Sequence, residues 1–181
     1  TDFPCNNYEP LGTLLTYVQV PGKTLTYPRW VEGIAKGRTV VSRNAHNEFL
    51  DLKVNGKEGP GNIIHIKDKK TFKVTVNWTA NQEISGRVEL VSNGKVIATQ
   101  EGTAKPGHPI ILTSSHPFSE SGWVCARRMN AAGHVLHTSP VYVSVNDLPV
   151  RANAADAEFF IKWIDNILKN IEPGGKWNKY F

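Results

Sequence analysis

Between Thr71 and Gln100 the chain alternates with a period of two: Phe72, Val74, Val76 and Trp78 interleave with Thr71, Lys73, Thr75 and Asn77. That is the pattern of a β-strand with one face buried and one face wet. Arg87-Val-Glu-Leu-Val follows, then Asn93-Gly94, then Lys95-Val-Ile-Ala-Thr. Asn-Gly supplies the positive φ values of a type I′ turn, so these two runs read as a hairpin. An antiparallel sheet with one apolar face needs a second layer to cover it.

The rest of the chain supplies that layer. Thr39-Val-Val, Phe49 to Val54, Ile63 to Ile66, Ile110-Ile-Leu, Gly122 to Arg128 and Val135 to Val145 are short β-type runs. They are separated by turn residues such as Asn55-Gly56, Gly59-Pro60-Gly61 and Pro106-Gly107. About seven or eight short strands at this spacing are the immunoglobulin-like pattern. The expected fold is mainly β: an immunoglobulin-like antiparallel sandwich over 39–147, with Phe72, Val74, Val76, Trp78, Leu90 and Val124 lining its interior. Two helices flank it. Tyr27 to Lys36 places Trp30, Val31, Ile34 and Ala35 on one face, with Thr26 as N-cap, Pro28 in the first turn and Gly37 as the stop. A helix this short is marginal alone, so its apolar face calls for cover. Over 148–181, Asn153 and Asp156 resemble a capping box. They lead a longer amphipathic helix whose stripe is Phe159, Phe160, Trp163, Ile164, Ile167, Leu168 and Ile171. This stripe is expected to pack on the sandwich, and Pro173-Gly-Gly ends it before an aromatic tail.

Composition narrows the function. The 181 residues carry a formal charge of +5, but the basic side chains are scattered. The densest group, Lys67-Asp68-Lys69-Lys70, has no interleaved aromatics and reads as the solvated tip of a hairpin, which argues against nucleic acid. No apolar run approaches the ~18 residues of a membrane span, and no signal peptide is visible. Met129 is the single methionine, so Thr1 is not expected to be a translated start and the chain reads as a fragment or a processed product. Cys5 and Cys125 are expected as free thiols, and Asn77-Trp78-Thr79 matches a glycosylation sequon by coincidence, since it lies within the best-patterned strand. The six histidines show none of the spacings that hold zinc. His134 and His137 are the nearest pair, and their odd separation in a strand would point them to opposite faces. His46, His65, His108 and His116 fall in separate loops and strands. No nucleophile elbow or other catalytic constellation is present.

Several segments, in order, resemble one family. Thr1-Asp2-Phe-Pro, Pro10-Leu-Gly-Thr, Leu25-Thr-Tyr-Pro-Arg-Trp-Val-Glu-Gly-Ile and Gly37-Arg-Thr-Val-Val-Ser resemble the end of the PHP-type metallohydrolase domain in the carbaryl-hydrolase-like (CehA/McbA) family. Val54-Asn-Gly-Lys-Glu-Gly-Pro-Gly, Ser121-Gly-Trp-Val-Cys-Ala-Arg, His137-Thr-Ser-Pro-Val-Tyr-Val and Phe159-Phe-Ile-Lys-Trp-Ile-Asp resemble segments downstream of that domain in family members. The resemblance implies that residues 1–38 are the remnant of an upstream barrel and that the remainder is an accessory region of a metal-dependent hydrolase. Its divalent metal would be held mostly by ligands on the missing barrel, which is then the expected partner. Asp2 falls where a barrel-end ligand would be and is the one candidate metal ligand, in the full-length protein only. No cofactor and no turnover are expected of this chain alone. The competing expectation is a free-standing immunoglobulin-like module that binds carbohydrate or protein through a platform of tryptophans.

Overall fold

The computed structural model describes residues 12–22, 24–151 and 154–180. The chain divides into two units, 1–149 and 150–181. In chain order the first contains β1 (Leu15–Val18), α1 (Tyr27–Ala35), β2 (Thr39–Ser42), β3 (Glu48–Val54), β4 (Ile63–Ile66), β5 (Lys70–Ala80) and β6 (Ile84–Ser92). It continues with β7 (Lys95–Ala104), β8 (Ile110–Phe118), β9 (Gly122–Asn130), β10 (Gly133–Thr138) and β11 (Val141–Val145).

The strands form two sheets, β3-β5-β8 and a larger one built around β9. One edge of β9 pairs with β6, which continues to β7. Its other edge takes β10 and β11 end to end, the two being one strand interrupted at Ser139-Pro140. The alternating strand β5 lies at the centre of the small sheet, and its Phe72, Val74, Val76 and Trp78 are buried together with Leu90 and Val124 of the facing sheet. The parallel pairing of β4 with β11 joins an early strand to the last one. Antiparallel ladders elsewhere, the crossing of consecutive strands between sheets and this closing parallel contact make the unit an immunoglobulin-like β-sandwich. Asn93 and Gly94, at φ 46° and 80°, make the predicted turn between β6 and β7.

One local expectation changes. The Lys67–Lys70 segment is exposed, but it is not a hairpin tip: β4 and β5 belong to different sheets, so the segment is a crossover. Residues 15–18 add β1 to β2, and β2 pairs with β10, so the lead extends the large sheet. Gly61 brings loop 59–61 onto the end of α1, where a Cβ would lie 2.1 Å from the Lys36 carbonyl oxygen.

In the second unit, α2 (Ala154–Ile171) is followed by a turn and a short 3₁₀ segment, Asn178–Tyr180. The Trp177 N–H donates to the Asn170 carbonyl at 2.8 Å, and the Asn178 amide donates to that of Ile171 at 2.9 Å. The tail thus folds back on the helix end and satisfies carbonyls that a helix C-terminus leaves open. No described residue of α2 is buried. Phe160, Trp163 and Ile164 of its stripe are not covered by the rest of this unit. The Asn153 half of the expected capping box lies outside the described residues.

Candidate functional site

Asp2, the one residue expected as a metal ligand, lies outside the described residues, as does Cys5. Among the described residues no three His, Cys, Asp or Glu side chains gather as a metal site. No described helix is long and apolar enough to cross a membrane.

The end of the sandwich where loops 43–47, 81–83 and 131–132 meet carries the densest polar chemistry. Inward phase puts Leu50, Leu52 and Val54 of β3 in the core, and the same phase carries Glu48 inward two residues earlier. In β9 the phase of Val124 and Ala126 carries Arg128 inward in the same way. The two meet across the sandwich with Arg128 Nε 3.0 Å from Glu48 Oε2. Trp78 Nε1 donates to that same oxygen at 2.8 Å, and the Asn44 amide donates to Glu48 Oε1 at 2.6 Å. Arg128 Nη2 donates to the Ser85 carbonyl at 3.0 Å, and its guanidinium stands 5.1 Å from the Trp78 ring. The Nε approach is close but poorly aligned for a hydrogen bond, and Nη1 is buried without a partner among the described residues. Burial pulls the Arg128 pKa down while Glu48 opposes it. In front of this pair opens a polar cleft of about 580 Å³, bordered by Arg43, Asn44, Ser85, Asn130 and His134.

His134 and His137 do not point apart. The β9–β10 ladder shifts register between His134 and Leu136, a bulge at Val135 that places one extra residue on β10. A bulge restores residues three apart to the same face. His137 Nδ1 accordingly lies 2.9 Å from His134 Nε2. Burial lowers both imidazole pKa values, with Arg43 and Arg127 adding to the effect on His134 and His134 to that on His137. The other described histidines are separate: His46 bonds Tyr17, and His65 pairs with Asp147.

Next to His137 across the ladder is Arg127, whose Nε donates to Glu89 Oε2 at 2.6 Å, while Arg87 Nε donates to Oε1 at 2.7 Å. Burial raises the Glu89 pKa, but these two guanidiniums outweigh it and hold the carboxyl below its ordinary range. Cys125, on the same strand, makes no disulfide to a described residue, and burial pushes its thiol up to about 11.

A second, mostly apolar cavity of about 340 Å³ lies under Tyr17, Val18, Val40, Phe49 and Leu50, with Arg38 and Asp51 at its rim. Beside it, α1 sits on the lead through Gly33, its one buried residue. A Cβ there would lie 2.5 Å from Val18 Cγ1. Seating the helix by its glycine turns Trp30, Val31 and Ile34 outward, all about two-fifths exposed. Of the tryptophans, Trp78 is fully buried, Trp30 is on α1, Trp123 is on β9, and Trp163 and Trp177 belong to the other unit.

No protein-family profile matches the chain, and no curated protein matches it. Among solved structures, it is similar to the CARDB domain of a Pyrococcus furiosus protein determined by NMR, at 17% identity and TM-score 0.37, covering 57% of this chain and 99% of that one. A crystal structure of the same domain in complex with di-metal ions gives 17% identity and TM-score 0.35, covering 56% and 97%. An engineered protein matches at 19% identity and TM-score 0.27, covering 54% of this chain and 20% of that one. These likenesses are too weak to carry an argument, and the fold rests on the chain's own strand order.

Proposed function

We propose that this chain is the accessory, bracing region of a metal-dependent hydrolase of the carbaryl-hydrolase-like type, docked through α1 to a catalytic barrel that carries most of the metal ligands. The observation that carries this reading is the bare face of α1. A nine-residue helix has little stability of its own in water, and three large apolar side chains left two-fifths exposed forgo about 0.6–1.2 kcal/mol each, that fraction of the value of full burial. Apolar patches of this kind mark contact surfaces. The patch lies in Leu25–Ile34, within the segment that resembles the end of the barrel domain. In this reading Asp2 contributes one carboxylate to the metal site of the whole enzyme, and the sandwich alone turns over nothing.

The test joins this chain, as a purified protein, to the separately purified catalytic domain encoded with it. A one-to-one complex by light scattering, with divalent-metal-dependent ester or amide hydrolysis that rises on mixing, is the expected result. Trp30→Ser with Ile34→Ser should weaken the complex at least tenfold while leaving the sandwich folded. In the intact enzyme Asp2→Ala should lower bound metal and turnover together. Absence of any complex, or a complex indifferent to the α1 changes, refutes the proposal. The platform-binding alternative has less support, because Trp78, in the best-patterned strand, is fully buried.

A further inference from the structure

We infer that His134 and His137 form a two-imidazole chelating site for a square-planar transition-metal ion, Cu(II) or Ni(II), on the outer face of the β9–β10 hairpin. The geometry is specific. An ion held about 2.0–2.1 Å from two nitrogens that are 2.9 Å apart subtends an angle of about 90° at the metal. That is the cis angle of tetragonal nitrogen coordination, the preference of Cu(II) and Ni(II). A tetrahedral zinc angle would need the nitrogens at about 3.3 Å, so the pair as built favours the former ions. In the metal-free chain these nitrogens are hydrogen-bonded to each other, and the rings, tilted 35°, must give up that bond and turn for both lone pairs to meet at one ion.

The surroundings suit this role in three respects. Both side chains are half-buried rather than sealed, so an ion can enter from solvent. His134 also hydrogen-bonds the Leu136 backbone, the kind of contact that fixes a ligand ring. Met129 stands directly across the ladder from His134, placing a soft thioether on the same face. The charged groups near the pair are Arg43 and Arg127, and Arg127 is ion-paired with Glu89, which also pairs with Arg87. The site depends on the bulge at Val135: in a regular strand the two rings would face opposite ways. It does not rest on the proposed hydrolase role, since neither histidine belongs to the α1 surface or to the barrel metal.

The probe is copper alone, added below one equivalent to the purified chain and read by electron paramagnetic resonance and by thermal shift. The expected spectrum is tetragonal, with hyperfine splitting from two imidazole nitrogens. Copper and nickel should raise the melting temperature, since an ion that binds only the folded state stabilises it. His134→Gln and His137→Gln should each weaken binding at least tenfold and abolish the two-nitrogen signature, with circular dichroism confirming the fold. His65→Gln, remote in Asp147's ion pair, should leave both readouts unchanged. Copper bound with equal affinity and the same spectrum by both hairpin variants, or lost on the His65 change, overturns the assignment.

Discussion

Replacing Glu48 by Gln isolates the worth of the charge at the heart of the sandwich. The change keeps shape and an acceptor for Trp78 Nε1, but it leaves Arg128 with only 3% of its side chain exposed and no anion beside it. Removing one partner of a buried ion pair costs about 3–5 kcal/mol, because the remaining charge stays desolvated and uncompensated. In a domain of this size each kcal/mol moves the melting temperature by about 2–4 °C, so the loss should be about 6–20 °C. Arg128→Met alone strands Glu48 in the same way and should cost a similar amount. The double variant Glu48→Gln/Arg128→Met strands no charge and should be more stable than either single variant, giving a coupling of several kcal/mol in a double-mutant cycle. Urea melts of the four proteins measure it. A Glu48→Gln protein within about 1 kcal/mol of wild type, or additive singles, would refute the reasoning, because the pair would then be no better than solvated.

Gly33→Ala should disturb the seat of α1, since the new methyl would lie 2.5 Å from Val18 Cγ1; faster amide exchange over residues 27–36 with an unchanged β5 would register it. Glu89, its pKa held down by Arg127 and Arg87, stabilises the fold above its ordinary value of 4.5, and that contribution is lost as pH falls through the depressed native value. Glu89→Gln should therefore lower stability at pH 7 and flatten the acid limb of the stability profile. Cys125, with its thiol pushed to about 11, is about one part in a thousand thiolate at pH 8. Iodoacetamide should modify it orders of magnitude more slowly in the native protein than in urea.

Alternation alone made the sandwich legible. Phe72 to Trp78 declare their inward face, and Asn93-Gly94 declares the turn, because both signals depend only on neighbours in sequence. What escaped depends on distant partners or on single-residue irregularities. The parallel union of β4 with β11 leaves no mark in Ile63–Ile66 that distinguishes it from a hairpin arm. The bulge at Val135 reverses the facing of one histidine, and Gly133, two residues earlier, reads as the turn into the strand and not as a sign of it. Arg128 and Glu48 were within reach, since each continues the inward phase of its strand, but a charge at a core position is discounted until its opposite is found. The apolar face of α1 is plain in its spacing, yet which of its residues meets the lead is decided by Gly33, the smallest of them.

The last strands also close the first ones, and this sets a timetable for synthesis. Thr39 and Ser139, whose hydroxyls lie 2.6 Å apart, are separated by 100 residues of chain. At about 5–20 residues per second, β2 emerges some 5–20 seconds before β10 exists to receive it. For that interval β2 has β1 on one edge but no strand on the other, and β4 waits similarly for β11. The hairpin β6–β7 and the β9 ladder can form in the meantime, because their contacts are nearer in sequence and cost less loop closure. A nascent chain stalled before Gly133 should accordingly hold a protease-resistant middle and a cleavable beginning, and it should become resistant throughout only after Val145 has been added.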